Sequence, residues 1–298
     1  MATIYTHQSD NIAKTWLLVG LFLVIVVAVG YVLAYLFQSP GILTFAIVFA
    51  VFMNILSYWY SDKIALSMAK AQPAPENEYP ELYRIVENLC ITAGLPKPAL
   101  YIIPDNAPNA FATGRNASHA SIAVTSGLLR MMDQNELQGV LAHELSHVGN
   151  RDILLSSVIA VLVGFIAIIA NVFTRGFWLG GGRGGDREGG NGLVALIGII
   201  FVILSPIIAT LIQLAVSRRR ESLADASGAL LTRYPEGLAS ALRKIAAYSR
   251  PMQTANNATA HMYISNPFGP KAFSGIQKLF MTHPPIEDRI KALEEMSV

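Results

Sequence analysis

Residues Thr15 to Phe37 form an uninterrupted run without a charged side chain, and a second such run extends from Gly41 to Tyr60 after the break Gln38-Ser39-Pro40. An α-helix rises 1.5 Å per residue, so about 20 apolar residues cross the roughly 30 Å hydrocarbon core of a bilayer. Both runs are long enough. Two more follow, Ile153 to Phe173 and Leu193 to Val216. Composition agrees: 14% of the 298 residues are charged and 53% are hydrophobic, against roughly 25% and 45–50% in globular chains. The chain is expected to be a multi-pass integral membrane protein.

Trp16 at one end and Tyr58, Trp59 and Tyr60 at the other suit the aromatic belt at a membrane interface. The first run is too long for a signal-peptide core, and no small-residue cleavage site follows it, so residues 1–60 read as a retained transmembrane hairpin, about 15–37 and 41–60. Residues 61–298 then form one polar domain interrupted by a second hairpin, about 153–173 and 193–216, with Pro206 kinking its second arm. A buried helical pair is the alternative reading of that second hairpin.

Basic residues orient the spans. Lys14, Lys63, Lys70, Arg151, Arg218, Arg219 and Arg220 fall on one side; only Arg175, Arg183 and Arg187 fall on the other. Both termini and the polar regions are therefore expected in the cytoplasm. The Arg218–Arg220 triplet reads as a topology anchor. Gly180 to Gly192 lacks the strand and the Gly-Lys-Ser/Thr of a phosphate cradle, and reads as a linker.

A net charge of +2, with no basic run interleaved with aromatics, argues against nucleic acid as a partner. Cys90 is the single cysteine, which excludes an internal disulfide framework and points to a reducing compartment. It lies in a helix-like apolar stretch and reads as a core residue.

The polar blocks 61–152 and 217–298 together match one ordinary domain, α+β and mainly helical. Leu82, Ile85, Val86 and Leu89 have helical spacing within Tyr79–Ala93, and Gly94 ends that helix. Ala99–Ile103 and Ala120–Thr125 read as strands, with Asn109–Ala112 a candidate third. Asp133 with Glu136 three residues on makes a capping box, starting the helix that carries Leu137, Val140 and Leu141. Helices are expected over Ser217–Thr232, Pro235–Tyr248 and Pro285–Met296. Arg250–Gly275, rich in Pro, Asn and Gly, reads as irregular structure or a mobile loop over the site.

That capped helix runs into His143-Glu144-Leu145-Ser146-His147. Residues four apart share a helix face, so both imidazoles can reach one ion. Glu144 is rotated about 100° from His143, beside the metal and able to take a proton from the water that it activates. Catalytic zinc normally has three protein ligands and one open position. Glu221 is the best third ligand, since it follows the fourth apolar run where the chain returns to the motif's side. Asp225, four residues later on the same face, is placed to accept the free ring N–H of a ligand histidine. His7, His119 and His261 have no partner at ligand spacing and read as surface residues.

With these residues in hand, the sequence resembles the HtpX-type membrane zinc metalloproteases, relatives of the CAAX prenyl protease within the broader thermolysin-like group. The matching residues run through nearly the whole chain: Pro108-Asn109-Ala110-Phe111-Ala112, Ala142 through His147, Asn150-Arg151-Asp152, Arg220 through Asp225, and Thr282-His283-Pro284-Pro285 with Arg289. The resemblance implies a zincin catalytic domain with one Zn2+ per chain, ligated by His143, His147 and Glu221, with Glu144 as general base. It implies that Asn109, Ala110, Phe111 and Ala112 form an edge strand pairing with substrate backbone, and that His283 and Arg289 face the scissile carbonyl and steady its negative charge.

The resulting expectation is an endopeptidase of the bacterial inner membrane, acting at the cytoplasmic face on damaged or misassembled membrane proteins. A CAAX-type prenyl-protein protease is the nearest alternative. A transporter is disfavoured because the four runs carry no ionisable residue, and a structural zinc site would need no base. The expected partners are membrane-protein substrates and the lipid bilayer; oligomeric assembly stays open.

Overall fold

The computed structural model describes residues 4–36, 38–165, 218–269 and 284–296. The fourth apolar run, the Gly180–Gly192 stretch and His283 lie outside the described residues.

The first hairpin forms as expected. Helix α1 spans Ile4–Leu36 and α2 spans Pro40–Met68, with Pro40 in the first turn of α2. Small residues let the two backbones approach: a Cβ added at Gly30 would lie 2.2 Å from the Cβ of Ala46. Their outer faces carry Trp16, Leu21, Val24, Phe45, Val48 and Phe52 exposed. Among the described residues, large exposed hydrophobics elsewhere are confined to Ile91, Leu230 and Tyr234. Such a continuous apolar surface suits lipid rather than water. Both helices are long and apolar enough to cross a membrane.

Helix α2 continues past Tyr60 to Met68, and its polar end belongs to the rest of the protein. Ala65 and Leu66 pack in one cluster with Ile103, Phe111 and Ala123 of the sheet. That sheet has four strands, β1 (Gln72–Pro73), β2 (Ala99–Ile103), β3 (Ala110–Gly114) and β4 (Ala120–Thr125), in the order β1-β2-β4-β3. Strand β4 pairs parallel with β2 and antiparallel with β3. All six β4 residues are buried, and alternation explains why small and β-branched residues fill it. Ile122 and Val124 face the main core with Leu137 and Val140, whereas Ala123 faces the α2 end.

Helix α3 (Pro80–Ala93) ends at Gly94, whose φ of +65° suits glycine. Cys90 is buried there, as expected. The six-residue α4 (Ser126–Met131) was not anticipated; the Thr125 hydroxyl caps it by accepting from the Leu128 N–H. Helix α5 (Gln134–Gly149) starts at the expected capping box, with both reciprocal Asp133–Glu136 bonds present.

Helix α5 is the axis of the fold. It meets α6 (Asp152–Phe165) at an 86° bend, where Arg151 adopts a φ of +59°. The described part of α6 is buried, with Val158 and Leu162 against Phe22 of α1 and Met53 of α2. Helices α7 (Arg218–Thr232) and α8 (Pro235–Ala247) flank α5 and α9 (Ile286–Glu294) packs on α8. Glycines permit the closest contacts. A Cβ at Gly139 would meet Leu238 N at 2.6 Å, and one at Gly228 would meet His143 N at 3.0 Å.

Candidate active site

The capping box fixes the start of α5, so helical periodicity fixes where the His143 and His147 side chains emerge. Close approach of α7 at Gly228 brings Glu221 opposite them. The result is a triangle of ligand atoms: His143 Nε2 to His147 Nε2 is 3.3 Å, and each lies 3.7 Å from a Glu221 carboxylate oxygen. Ligand bonds of about 2.0–2.1 Å in tetrahedral geometry separate neighbouring ligand atoms by about 3.3–3.4 Å. The three side chains therefore fit a zinc-sized ion. Among the described residues this is the group of His, Cys, Asp and Glu side chains that converges in this way.

Glu144 is 1% exposed and follows His143 directly on α5, beside the triangle. Burial pushes the Glu144 carboxyl up to about 7, Glu221 adds to this, and His147, Arg289 and the Ala112 N–H oppose it. A cavity of about 20 Å³ is lined by Ala112, Glu144, His147, Glu221 and His261, room for about one water.

Each histidine of the triangle has an acceptor behind it. His143 Nδ1 is 2.9 Å from Asp225 Oδ1, and His147 Nδ1 is 3.0 Å from Asp152 Oδ2. With Nδ1–H donating backward, each Nε2 lone pair faces the triangle. Burial lowers the His143 pKa, partly offset by the Asp225 hydrogen bond. Burial also opposes charge on His147, but the Asp152 hydrogen bond and the Glu221 charge outweigh it and raise that imidazole to about 9. A cation at the triangle replaces the proton that those carboxylates favour.

Arg289 is buried in the site but not aimed at open space. Its Nε and Nη2 donate to the two Asp225 oxygens at 2.9 and 2.7 Å, and its Nη1 donates to the Ile264 carbonyl at 3.0 Å. Burial would raise Asp225, but Arg289 and His143 hold its carboxyl at about 2. In this geometry Arg289 neutralises and orients the outer carboxylate.

Strand β3 is the sheet edge, as expected for Asn109–Ala112, although it spans Ala110–Gly114. Its outer side is engaged. The Ala110 carbonyl accepts from Ile264 N–H at 2.9 Å, and Gly114 N–H donates to Ser157 Oγ at 3.2 Å. Asn109 side-chain atoms bond the backbone of Ser265. Tyr263, fully buried, packs edge-on against Phe111 with ring centroids 5.0 Å apart. The irregular segment expected over the site thus runs along the edge strand itself.

His261 corrects an expectation. It is 2% exposed, not a surface residue, and its Nε2 lies 3.0 Å from the Ser156 carbonyl beside the Glu144 cavity. Ligand spacing in sequence gives no sign of it, because its contact with α6 spans about a hundred residues. Asp152 was visible in the sequence only as a motif residue, without a role.

Residues 76–297 match the profile of Peptidase family M48. The chain belongs to peptidase family M48. A protease HtpX homolog from Caldanaerobacter subterraneus subsp. tengcongensis is 49% identical over 99% of both chains. Another from Pyrococcus furiosus is 48% identical over 95% of this chain and 96% of its own. The crystal structure of S. mikatae Ste24p matches with a TM-score of 0.50 at 19% identity, covering 96% of this chain and 65% of that one. The M48 fold and a metalloprotease activity follow from these matches. The full-length relatives carry the HtpX name, which favours that type over a prenyl-protein protease. Together with the apolar helices, the matches make this M48 chain a membrane protein.

Proposed function

We propose that this chain is a zinc endopeptidase, with one ion per chain, that hydrolyses damaged or misassembled membrane proteins at the cytoplasmic face of the inner membrane. The convergence of His143, His147 and Glu221 at ligand separations, beside a buried Glu144, carries this reading. A zinc ion held there supplies Lewis acidity, polarising the scissile carbonyl and acidifying water.

The chain's own residues supply the rest. Glu144 takes the proton of the attacking water on its carboxylate and passes it to the leaving amine. Asp225 and Asp152 hold the two imidazoles with Nε2 inward, and Arg289 keeps Asp225 ionised. Residues Asn109 to Ala112 offer their strand edge to the substrate backbone once Ile264 withdraws. His283 is assigned to the carbonyl's developing charge, whereas Arg289 is committed to Asp225. A thermolysin-like zincin architecture and four membrane passes complete the reading.

Orientation rests on the basic residues flanking the spans and on the placement of α1. Asn11, near the N-terminal end of α1, touches the residues just after α5, which supports one side for the N-terminus and the metal centre.

The test is cleavage of a membrane-protein substrate by the purified full chain in detergent, with and without chelator and added zinc. Glu144→Gln is expected to lose hydrolysis and keep its zinc; a fully active variant would overturn the mechanism. Glu221→Ala is expected to lose or weaken zinc, and unchanged zinc content on elemental analysis would remove it from the ligand set.

A further inference from the structure

Asp152 belongs to the Asn150-Arg151-Asp152 motif, and its two oxygens point to different elements. Oδ2 lies 3.0 Å from His147 Nδ1. Oδ1 accepts from Asn11 Nδ2 at 2.7 Å. Asn11 comes from α1, is 4% exposed, and is 141 residues away in sequence. The same amide also donates to the Asn150 carbonyl at 3.3 Å, and its own oxygen accepts from Arg220 Nη1 at 3.4 Å.

Each of these contacts meets a physical need. A buried carboxylate with one oxygen on an imidazole needs a donor for the other, or it rotates. Arg220 Nε, at 3.9 Å from Oδ1, is too distant to replace a 2.7 Å hydrogen bond. The carbonyl of Asn150 belongs to the last turn of α5, where helix termini leave acceptors without intrahelical partners. The α5–α6 bend falls at this point, so Asn11 fastens the bend and the carboxylate together.

We propose that Asn11 and Asp152 are positioning residues for His147, so that the first membrane helix forms part of the outer shell of the metal centre. Asn11 fixes the Asp152 carboxylate, and Asp152 fixes the imidazole tautomer and ring angle with Nε2 inward. This rests on the zinc site proposed above. It adds that docking of α1 sets zinc affinity, and does not merely tether the enzyme.

The test uses the full chain in detergent, with zinc affinity measured by competition against a chromogenic chelator. Losing an outer partner of a ligand histidine typically costs about 10–100-fold in metal affinity. Asp152→Ala is expected within that range and Asn11→Ala near its lower end, about tenfold. Asn11→Ala added to Asp152→Ala should cost nothing further, because both act along one path. An additive loss would instead mean general loosening, and unchanged affinity in Asn11→Ala would equally overturn the inference.

Thr15→Val, which perturbs α1 one turn away by removing the hydroxyl that donates to the Asn11 carbonyl, should leave zinc affinity unchanged; a loss matching Asn11→Ala would overturn the inference. If Asn11→Ala does not fold, Asn11→Ser and cobalt substitution replace it. The cobalt absorption spectrum should shift in Asn11→Ser, reporting the changed imidazole angle, and an unshifted spectrum would overturn the inference. Wild-type protein that binds no zinc would instead refute the underlying metal site.

Discussion

Arg289 grips Asp225 with a two-pronged hydrogen bond, Nε to Oδ2 at 2.9 Å and Nη2 to Oδ1 at 2.7 Å, with both side chains almost wholly buried. The same Asp225 oxygen faces His143 Nδ1, so α9 reaches His143 through one carboxylate. Removing one partner of a buried pair leaves an uncompensated charge and costs about 3–5 kcal/mol. Arg289→Ala is expected to lower the thermal midpoint in detergent by the equivalent of that loss. Lysine cannot reproduce the planar fork, so Arg289→Lys should recover only part of it. A variant as stable as the parent would show that the pair is dispensable.

The pH dependence follows from two groups. In the proposed mechanism Glu144 works as a carboxylate, and burial raises its pKa to about 7; a cation beside it lowers that value again. The activity of the zinc-loaded enzyme should therefore be flat through neutrality and fall only on acidification well below pH 7. His147, raised to about 9 mainly by Asp152 and Glu221 against the effect of burial, must shed its proton to bind metal. Apparent zinc affinity should weaken by up to about tenfold per pH unit on acidification from pH 8. A kcat/KM profile and a zinc competition series check the two limbs separately; activity that rises toward acid would contradict the assignment of Glu144.

Metal removal should register as stability as well as activity. A ligand that binds only the folded state stabilises it by RT ln(1 + [L]/Kd), about 2.7 kcal/mol at a hundredfold excess over Kd. Chelator treatment is expected to lower the melting temperature, and zinc at that excess should restore it. Glu221→Ala should show little response to added zinc.

Gly139 sets the distance between α5 and α8. A methyl group there would press on Leu238 N at 2.6 Å and Cα at 2.9 Å, both backbone atoms that cannot swing aside. Gly139→Ala gains helix propensity of about 1 kcal/mol but forces the helices apart, an overpacking cost of about 1–3 kcal/mol. Net destabilisation is expected in a detergent melt, together with weaker zinc binding as α5 shifts. A stabilised variant would show that the interface yields without cost.

Much of this site could be read from residue spacing because its logic is local. The Asp133–Glu136 box, the two histidines four apart and the Glu221–Asp225 pair each follow from the period of one helix. Glycine at position 94 and the buried Cys90 belong to the same category. What spacing misses is set by tertiary approach. Asn11 lies next to Asp152, and His261 next to Ser156, only because three helices and a loop converge on the α5–α6 bend. The two-residue strand β1, which includes a proline, has no periodicity to detect. Arg289 was legible as a site residue, whereas its grip on Asp225 depends on the angle at which α9 arrives.

Tyr263 gives a direct handle on the segment that covers β3. Its ring fills the space over Phe111, and truncating a buried aromatic costs roughly 3–5 kcal/mol of packing. Tyr263→Ala is expected to loosen residues 249–269, seen as faster hydrogen exchange at Ile264 and a lower KM for an extended peptide. Unchanged exchange would mean that the segment is held by other contacts.

The engaged outer side of β3 has a consequence for proteins crowded in a bilayer. A bare sheet edge is a template on which any neighbouring chain can stack, including another copy of the same protein. Here Ile264 and Ser157 occupy the hydrogen-bonding groups of Ala110 and Gly114. An incoming strand therefore gains no vacant bond at Ala110 and must trade for one already made. Pairing at this edge becomes a competition with bonds inside the chain, and the edge is kept from becoming a seed for aggregation.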